Sequence, residues 1–156
     1  MIGSDLLPDL RVRIRDEGKI SIGDDNLLLI YVNEAISWLS NQLISFKDPI
    51  MITEDEFTED TTLPTGFVKF VGQYPIKRTG TGFMLLLDLD SVTAEYWAVK
   101  DSIDAFTDTI HFPDQYKNVL VQYAAIAAIN KMGKPIDQDS VMLKQLNDML
   151  TQAIQG

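Results

Sequence analysis

The sequence predicts an α+β protein: a mainly helical bundle of about four helices with a small antiparallel β-sheet inserted between the second and third. Three observations carry this. Residues 26–46 repeat apolar side chains at the 3.6-residue helical period. Residues 67–99 alternate in short runs separated by Gly- and Asp-bearing turns. Residues 119–129 are apolar almost all round, as in a helix surrounded by others. At 156 residues one domain is expected over 1–156, able to bury about 70% of its unfolded surface. Its helices fall within 4–47 and 113–155, and the β insertion covers about 50–111.

Asp5 or Ser4 can cap a first short helix, with Pro8 in the first turn, where a missing N–H is tolerated. Leu7, Leu10 and Ile14 share one face, and Gly18 marks the end. Asp24-Asp25-Asn26 opens the second helix, whose Leu28, Val32, Ala35, Ile36, Leu39, Leu43 and Phe46 lie in one narrow stripe facing a core. Leu27, Tyr31 and Trp38 form a second stripe on its flank, more apolar than a surface helix needs, and are expected to meet another subunit.

Pro49 stops that helix. The following run, with Glu54, Asp55, Glu56, Glu59 and Asp60, reads as an acidic loop or edge strand. Strands are expected at Phe67–Val71, Met84–Leu89 and Tyr96–Val99; the non-alternating Leu85-Leu86-Leu87 predicts a strand covered on both faces. Pro113 and Asp114 suit the first turn of the third helix. The alanines at 124, 125, 127 and 128 let neighbouring helices approach closely, and Gly133 suits a left-handed C-terminal cap with Pro135 blocking continuation. A last helix from about Asp139 carries Met142, Leu146, Met149, Leu150 and Ala153 on one face.

Composition narrows function. There is no cysteine, which excludes disulfides and Cys-based zinc sites and fits a reducing cytoplasm. No leader pattern opens the chain and no apolar run is long enough to span a bilayer, so no membrane association is expected. Thirteen Lys and Arg against 23 Asp and Glu give a net charge of −10, which argues against grasping phosphates; an acidic face that only confers solubility is the plain reading, and a channel lining that repels passing DNA is the functional one.

No catalytic constellation stands out. Arg78-Thr79-Gly80-Thr81-Gly82 lacks the following helix that a phosphate cradle needs, and reads as a hairpin tip. His111 is the one histidine, it sits at a strand end, and no Gly-x-Ser-x-Gly elbow accompanies it. Asp88 and Asp90, with Asp101, Asp104 and Asp108, read as turn carboxylates rather than an oxygen-ligated metal site. Arg11, Arg13 and Arg15 either complement a helix dipole or, at Arg11 and Arg15, pair with an acidic neighbouring subunit. Neither metal nor cofactor is expected.

Two phrases then stand in fixed order: Leu-Pro-Thr-Gly-Phe-Val-Lys-Phe-Val at 63–71, and Phe-Pro-Asp-Gln-Tyr at 112–116 followed by Leu-Val-Gln-Tyr-Ala-Ala-Ile-Ala-Ala-Ile at 120–129. Ahead of them lies Asn33-Glu34-Ala35 in the second helix. This arrangement resembles the head-to-tail adaptor, or connector, proteins of tailed bacteriophages across most of the chain. The resemblance implies a virion neck protein, assembled in the host bacterial cytoplasm. It would form a dodecameric ring of its own copies under the portal protein and meet downstream tail or stopper proteins, while DNA passes without specific binding. It further implies subunit contacts through Leu27, Tyr31, Trp38, Arg11 and Arg15, portal docking by Leu150, Ala153, Ile154 and Gln155, and a channel- or tail-facing acidic surface at Glu54, Asp55, Glu56, Glu59 and Asp60. From another class, the rival is a small ligand-binding or enzymatic domain with a pocket between the β insertion and the helices. An acidic protein that binds a basic partner is a third reading, which leaves the β insertion unexplained.

Overall fold

The computed structural model describes residues 1–156 except 20 and 134–136, and only the backbone of 137–140. The described residues form an α+β fold with antiparallel strands between the second and third helices. The helices are α1 (Leu7–Arg13), α2 (Leu29–Ser45), α3 (Lys117–Lys131) and α4 (Asp137–Gln155). The strands are β1 (Ile52–Phe57), β2 (Phe67–Phe70), β3 (Ile76–Arg78), β4 (Phe83–Leu85) and β5 (Val92–Ala98). They make a three-stranded sheet in the order β1-β5-β2 and a separate β3-β4 hairpin. Two compact units result, one built from Met1–Leu39 with Ser102–Gly156, the other from Ser40–Asp101.

In the helical unit, a 3₁₀ turn over Gly3–Leu6 leads into α1. Asp5 accepts the Ile2 N–H at 3.0 Å, so it caps from inside the turn rather than ahead of it. Leu6, Leu10 and Ile14 are fully buried, while Leu7 is only half-buried. The helix ends earlier than Gly18 because Arg15 turns left-handed, at φ 57°. Asp24 caps the next turn by accepting the Asn26 N–H at 2.9 Å, and the chain enters α2 through a 3₁₀ turn over Asp25–Leu28. Its core stripe is buried as the period predicts, with Leu28, Val32, Ala35 and Leu39 at 0% exposure. Phe46 is the exception. α2 ends at Ser45 and Lys47 takes φ 59°, so Phe46 lies past the last helical residue, leaves the stripe and is 57% exposed.

Asn33 shows why a polar residue stands in α2. Its amide oxygen accepts the Ile103 N–H at 2.9 Å and its amide nitrogen donates to the Ile103 carbonyl at 2.9 Å, so one side chain replaces a strand partner for the irregular segment before α3. α3 is the surrounded helix of this unit, with Leu120, Ala124, Ala125 and Ala128 fully buried. Its polar member, Gln122, is buried too. The amide accepts from Arg13 of α1 and donates to the Met142 carbonyl of α4 at 3.1 Å, tying three helices together. Gly133 is left-handed at φ 67°, as a C-terminal cap requires; the expectation for Pro135 lies outside the described residues. On α4, Leu146, Leu150 and Ala153 are buried and Met142 and Met149 half-buried.

In the second unit, Pro64-Thr65-Gly66-Phe67 forms a turn closed by Phe67 N–H to the Pro64 carbonyl at 3.1 Å. Gly66 sits at φ 74°, and a Cβ there would lie 2.3 Å from the Val99 carbonyl oxygen. Glycine is therefore required. Phe57 packs edge-on against Phe83 of the hairpin at 4.8 Å and against Phe70 of β2 at 5.3 Å, so an aromatic cluster joins the two sheets. The β1–β5 register pairs Phe57 with Val92, Asp55 with Ala94 and Glu54 with Glu95. The expected hairpin tip is present, with Thr79 N–H bonded to the Gly82 carbonyl at 2.9 Å. The expected strand at Met84–Leu89 is shorter: Leu87 and Asp88 take φ 64° and 52°, which ends pairing after Leu85 and places Asp88 and Asp90 on a turn.

Candidate functional site

Charged residues near α1 are used inside the chain. Arg11 is 5% exposed; its guanidinium donates to Asp16 at 2.8 Å and to Asp25 at 2.7 Å. Lys19 also reaches Asp25, at 2.7 Å. The carboxyl of Asp25 is held below its ordinary value, first by the bond from Lys19 and then by that from Arg11. Asp16 accepts the backbone N–H groups of Ser21 and Ile22, each at 2.8 Å, so the cluster ties Asp16, Ser21, Ile22 and Asp25 to α1. This corrects the assignment of Arg11 to a subunit contact: it has no free face to offer. Arg15 is exposed.

The second stripe of α2 divides. Leu27 is 60% exposed, with Ile30 beside it at 59%. Trp38 is half-buried and stacks on Tyr123 of α3, with ring centroids 4.7 Å apart, so much of its apolar surface is covered within its own unit. Tyr31 lines an open groove of ≈ 560 Å³ together with Glu34, Tyr123, Ile126, Lys131 and Leu143, drawn from α2, α3 and α4. Burial and then the charge of Glu34 push the Tyr123 phenol up. The groove is mainly apolar and aromatic, bordered by one acid and one cation.

The residues expected at a portal contact also divide. Leu150 and Ala153 are buried, and the Ala153 carbonyl accepts from the Gln115 amide at 2.9 Å. Those two belong to the packing of the helical unit, which corrects their assignment to docking. Ile154 and Gln155 remain exposed.

On the second unit, Glu54 and Glu56 lie on the exposed face of β1, opposite Glu95 and Thr93 of β5, and Glu59 and Asp60 follow in the next turn. Asp55 points to the other face and accepts the Tyr96 hydroxyl at 2.6 Å. Sequence reasoning missed one surface here, the turn after β4. Leu87 is 80% exposed, Leu86 and Leu89 41% each, and Asp88 and Asp90 are exposed between and beyond them. A leucine held left-handed costs roughly 1–2 kcal/mol. Three leucines in a row look like a strand, and only the backbone reveals a knob.

Among the described residues no three His, Asp or Glu side chains converge as metal ligands would, and His111 is exposed. Asp108 is spent on the N–H groups of Asp104 and Ala105, both at 2.9 Å. No helix among the described residues is long and apolar enough to cross a membrane. No protein-family model matches the chain and no curated protein matches it.

Proposed function

We propose that this chain is a virion structural protein: a ring-forming adaptor that joins the capsid portal to the tail and continues the DNA channel in the neck. The observation that carries the reading is the apolar surface left over at the entrance to α2. Leu27, in the 3₁₀ turn that leads into the helix, and Ile30, one turn on in α2, are 60% and 59% exposed; they exceed what the core of the helical unit uses, and apolar side chains grouped in this way suit a protein contact. Its partners on this reading are copies of itself, the portal protein and downstream tail or stopper proteins; it is not an enzyme and takes no cofactor. The ordered phrases at 33–35, 63–71 and 112–129 support the same reading, as does the acidic face of Glu54, Glu56 and Glu95, which repels duplex phosphates over about one Debye length, ~8 Å at physiological salt.

The test is negative-stain imaging of portal rings encoded in the same genome, with and without the purified chain. Added density forming a collar on one end of the portal is the expected outcome. An unchanged portal outline at saturating chain overturns the reading.

A further inference from the structure

We propose that the turn Leu86–Asp90 of one copy seats in the groove between α2, α3 and α4 of a second copy, with Leu87 inserted and Asp88 and Asp90 facing Lys131. The contact deepens the connector reading and rests on its self-association.

Each half offers the apolar surface and the charge that the other can receive. The turn projects an apolar tip, Leu87 at 80% exposure with Leu86 and Leu89 at 41%, collared by two exposed carboxylates. Two consecutive left-handed residues, at φ 64° and 52°, shape that tip, and a costly backbone of this kind persists where the surrounding structure fixes it. The groove supplies the inverse: apolar walls at Tyr31, Ile126 and Leu143 with Lys131 among its lining residues. Some of the cations near α1 and α3 are already engaged. Arg11 is sealed among acids, Lys19 is paired with Asp25 and Lys117 with Asp9. At Lys131 a cation and an apolar concavity coincide. Glu34, on the α2 wall, repels the collar and so favours the orientation that turns it toward α3. Knob and groove are different surfaces, so every copy carries one of each, and the resulting head-to-tail contact closes into a ring or extends as a filament.

The absence of cysteine makes the test clean. Leu87→Cys and Ala127→Cys, the latter on the α3 wall of the groove, are prepared as separate variants, checked for folding by circular dichroism, mixed and treated with a short thiol-to-thiol cross-linker. The expected result is a mixed covalent dimer in several-fold excess over that from Leu87→Cys mixed with Asp148→Cys, an exposed site on α4. Adding Lys131→Glu to the groove variant lowers the yield by about threefold, the scale of an exposed ion pair, and Asp88→Lys with Asp90→Lys on the knob variant restores it. A yield equal to the control, or indifferent to Lys131→Glu, overturns the contact. Oligomers seen by sedimentation that Leu87→Asp leaves unchanged also overturn it, while the connector reading stands or falls on the portal images.

Discussion

The indole of Trp38 lies flat on the ring of Tyr123, with centroids 4.7 Å apart and planes inclined by 21°. An apolar stripe on the sequence of α2 is thus partly satisfied by α3, and Trp38 is a residue of the fold before it is a residue of any interface. Trp38→Ala is expected to destabilise the protein by about 1–3 kcal/mol, less than a full core truncation because the ring is half-buried. A double-mutant cycle with Tyr123→Ala should return a coupling of about 0.5–1.5 kcal/mol in urea unfolding; additive single effects would refute the stacking role.

Leu27 should behave oppositely. At 60% exposure, Leu27→Asp is expected to shift stability by no more than about 0.5 kcal/mol, yet to abolish collar density on portal rings. Normal collars with a well-folded Leu27→Asp variant would remove this residue from the assembly surface.

The Arg11 cluster predicts an acid-sensitive loop. Arg11→Gln leaves Asp16 buried beside a lost cation and should cost about 3 kcal/mol, the low end for a broken buried pair, because Asp25 retains 32% side-chain exposure. The folded Asp25 carboxyl titrates below its ordinary value of 3.8. Its contribution is therefore complete above that pH and is lost as pH falls below it toward the depressed folded value. Urea midpoints measured on either side of that value should fall on acidification in the parent chain and fall less in Lys19→Gln. Identical acid dependence in the two proteins would contradict the pairing.

At the alkaline end the group to watch is Tyr96. Burial first, then the bond to Asp55 and its charge, push this phenol from 10.0 up to about 12. The folded state thus favours the neutral ring: its stabilising effect is whole below pH 10 and drains away as pH rises toward 12. Tyr96→Phe should cost about 1 kcal/mol at neutral pH and flatten the alkaline descent. Equal slopes for parent and variant between pH 10 and 12 would exclude Tyr96 as its source.

Gly66 admits no side chain. Gly66→Ala must adopt φ 74° and meet the Val99 carbonyl oxygen at 2.3 Å, so a loss of about 2–4 kcal/mol is expected, combining left-handed strain with backbone displacement. Amide exchange should accelerate at Phe67 and Val99, the two N–H groups that close this turn and its link to β5. Unchanged protection at both would show that the turn relaxes freely.

The helices were legible because burial writes a period. Leu28, Val32, Ala35, Ile36 and Leu39 follow a helix stripe and are all buried, and Gly133 declares its left-handed cap. Arg11, Asp16 and Asp25 were not legible: their separations of 5 and 14 residues follow no period, and a loop must fold before they meet. The knob at Leu87 was misread because strand propensity counts leucines but is blind to a positive φ. Phe46 was misread because periodicity says nothing of where a helix stops. At the groove, Tyr31 stood out in the sequence, while Tyr123, Lys131 and Leu143 belong to helices far along the chain and become neighbours only through packing.

β1 is an outer strand of its sheet, the position from which a foreign strand can extend a sheet into a fibril. Facing carboxylates such as Glu54 and Glu95 weaken the sheet slightly. A second β1 laid along this edge would crowd two sets of Glu54, Asp55 and Glu56 to within about 5 Å, which like charges resist. The acidic edge thus weighs against amyloid-like stacking along β1.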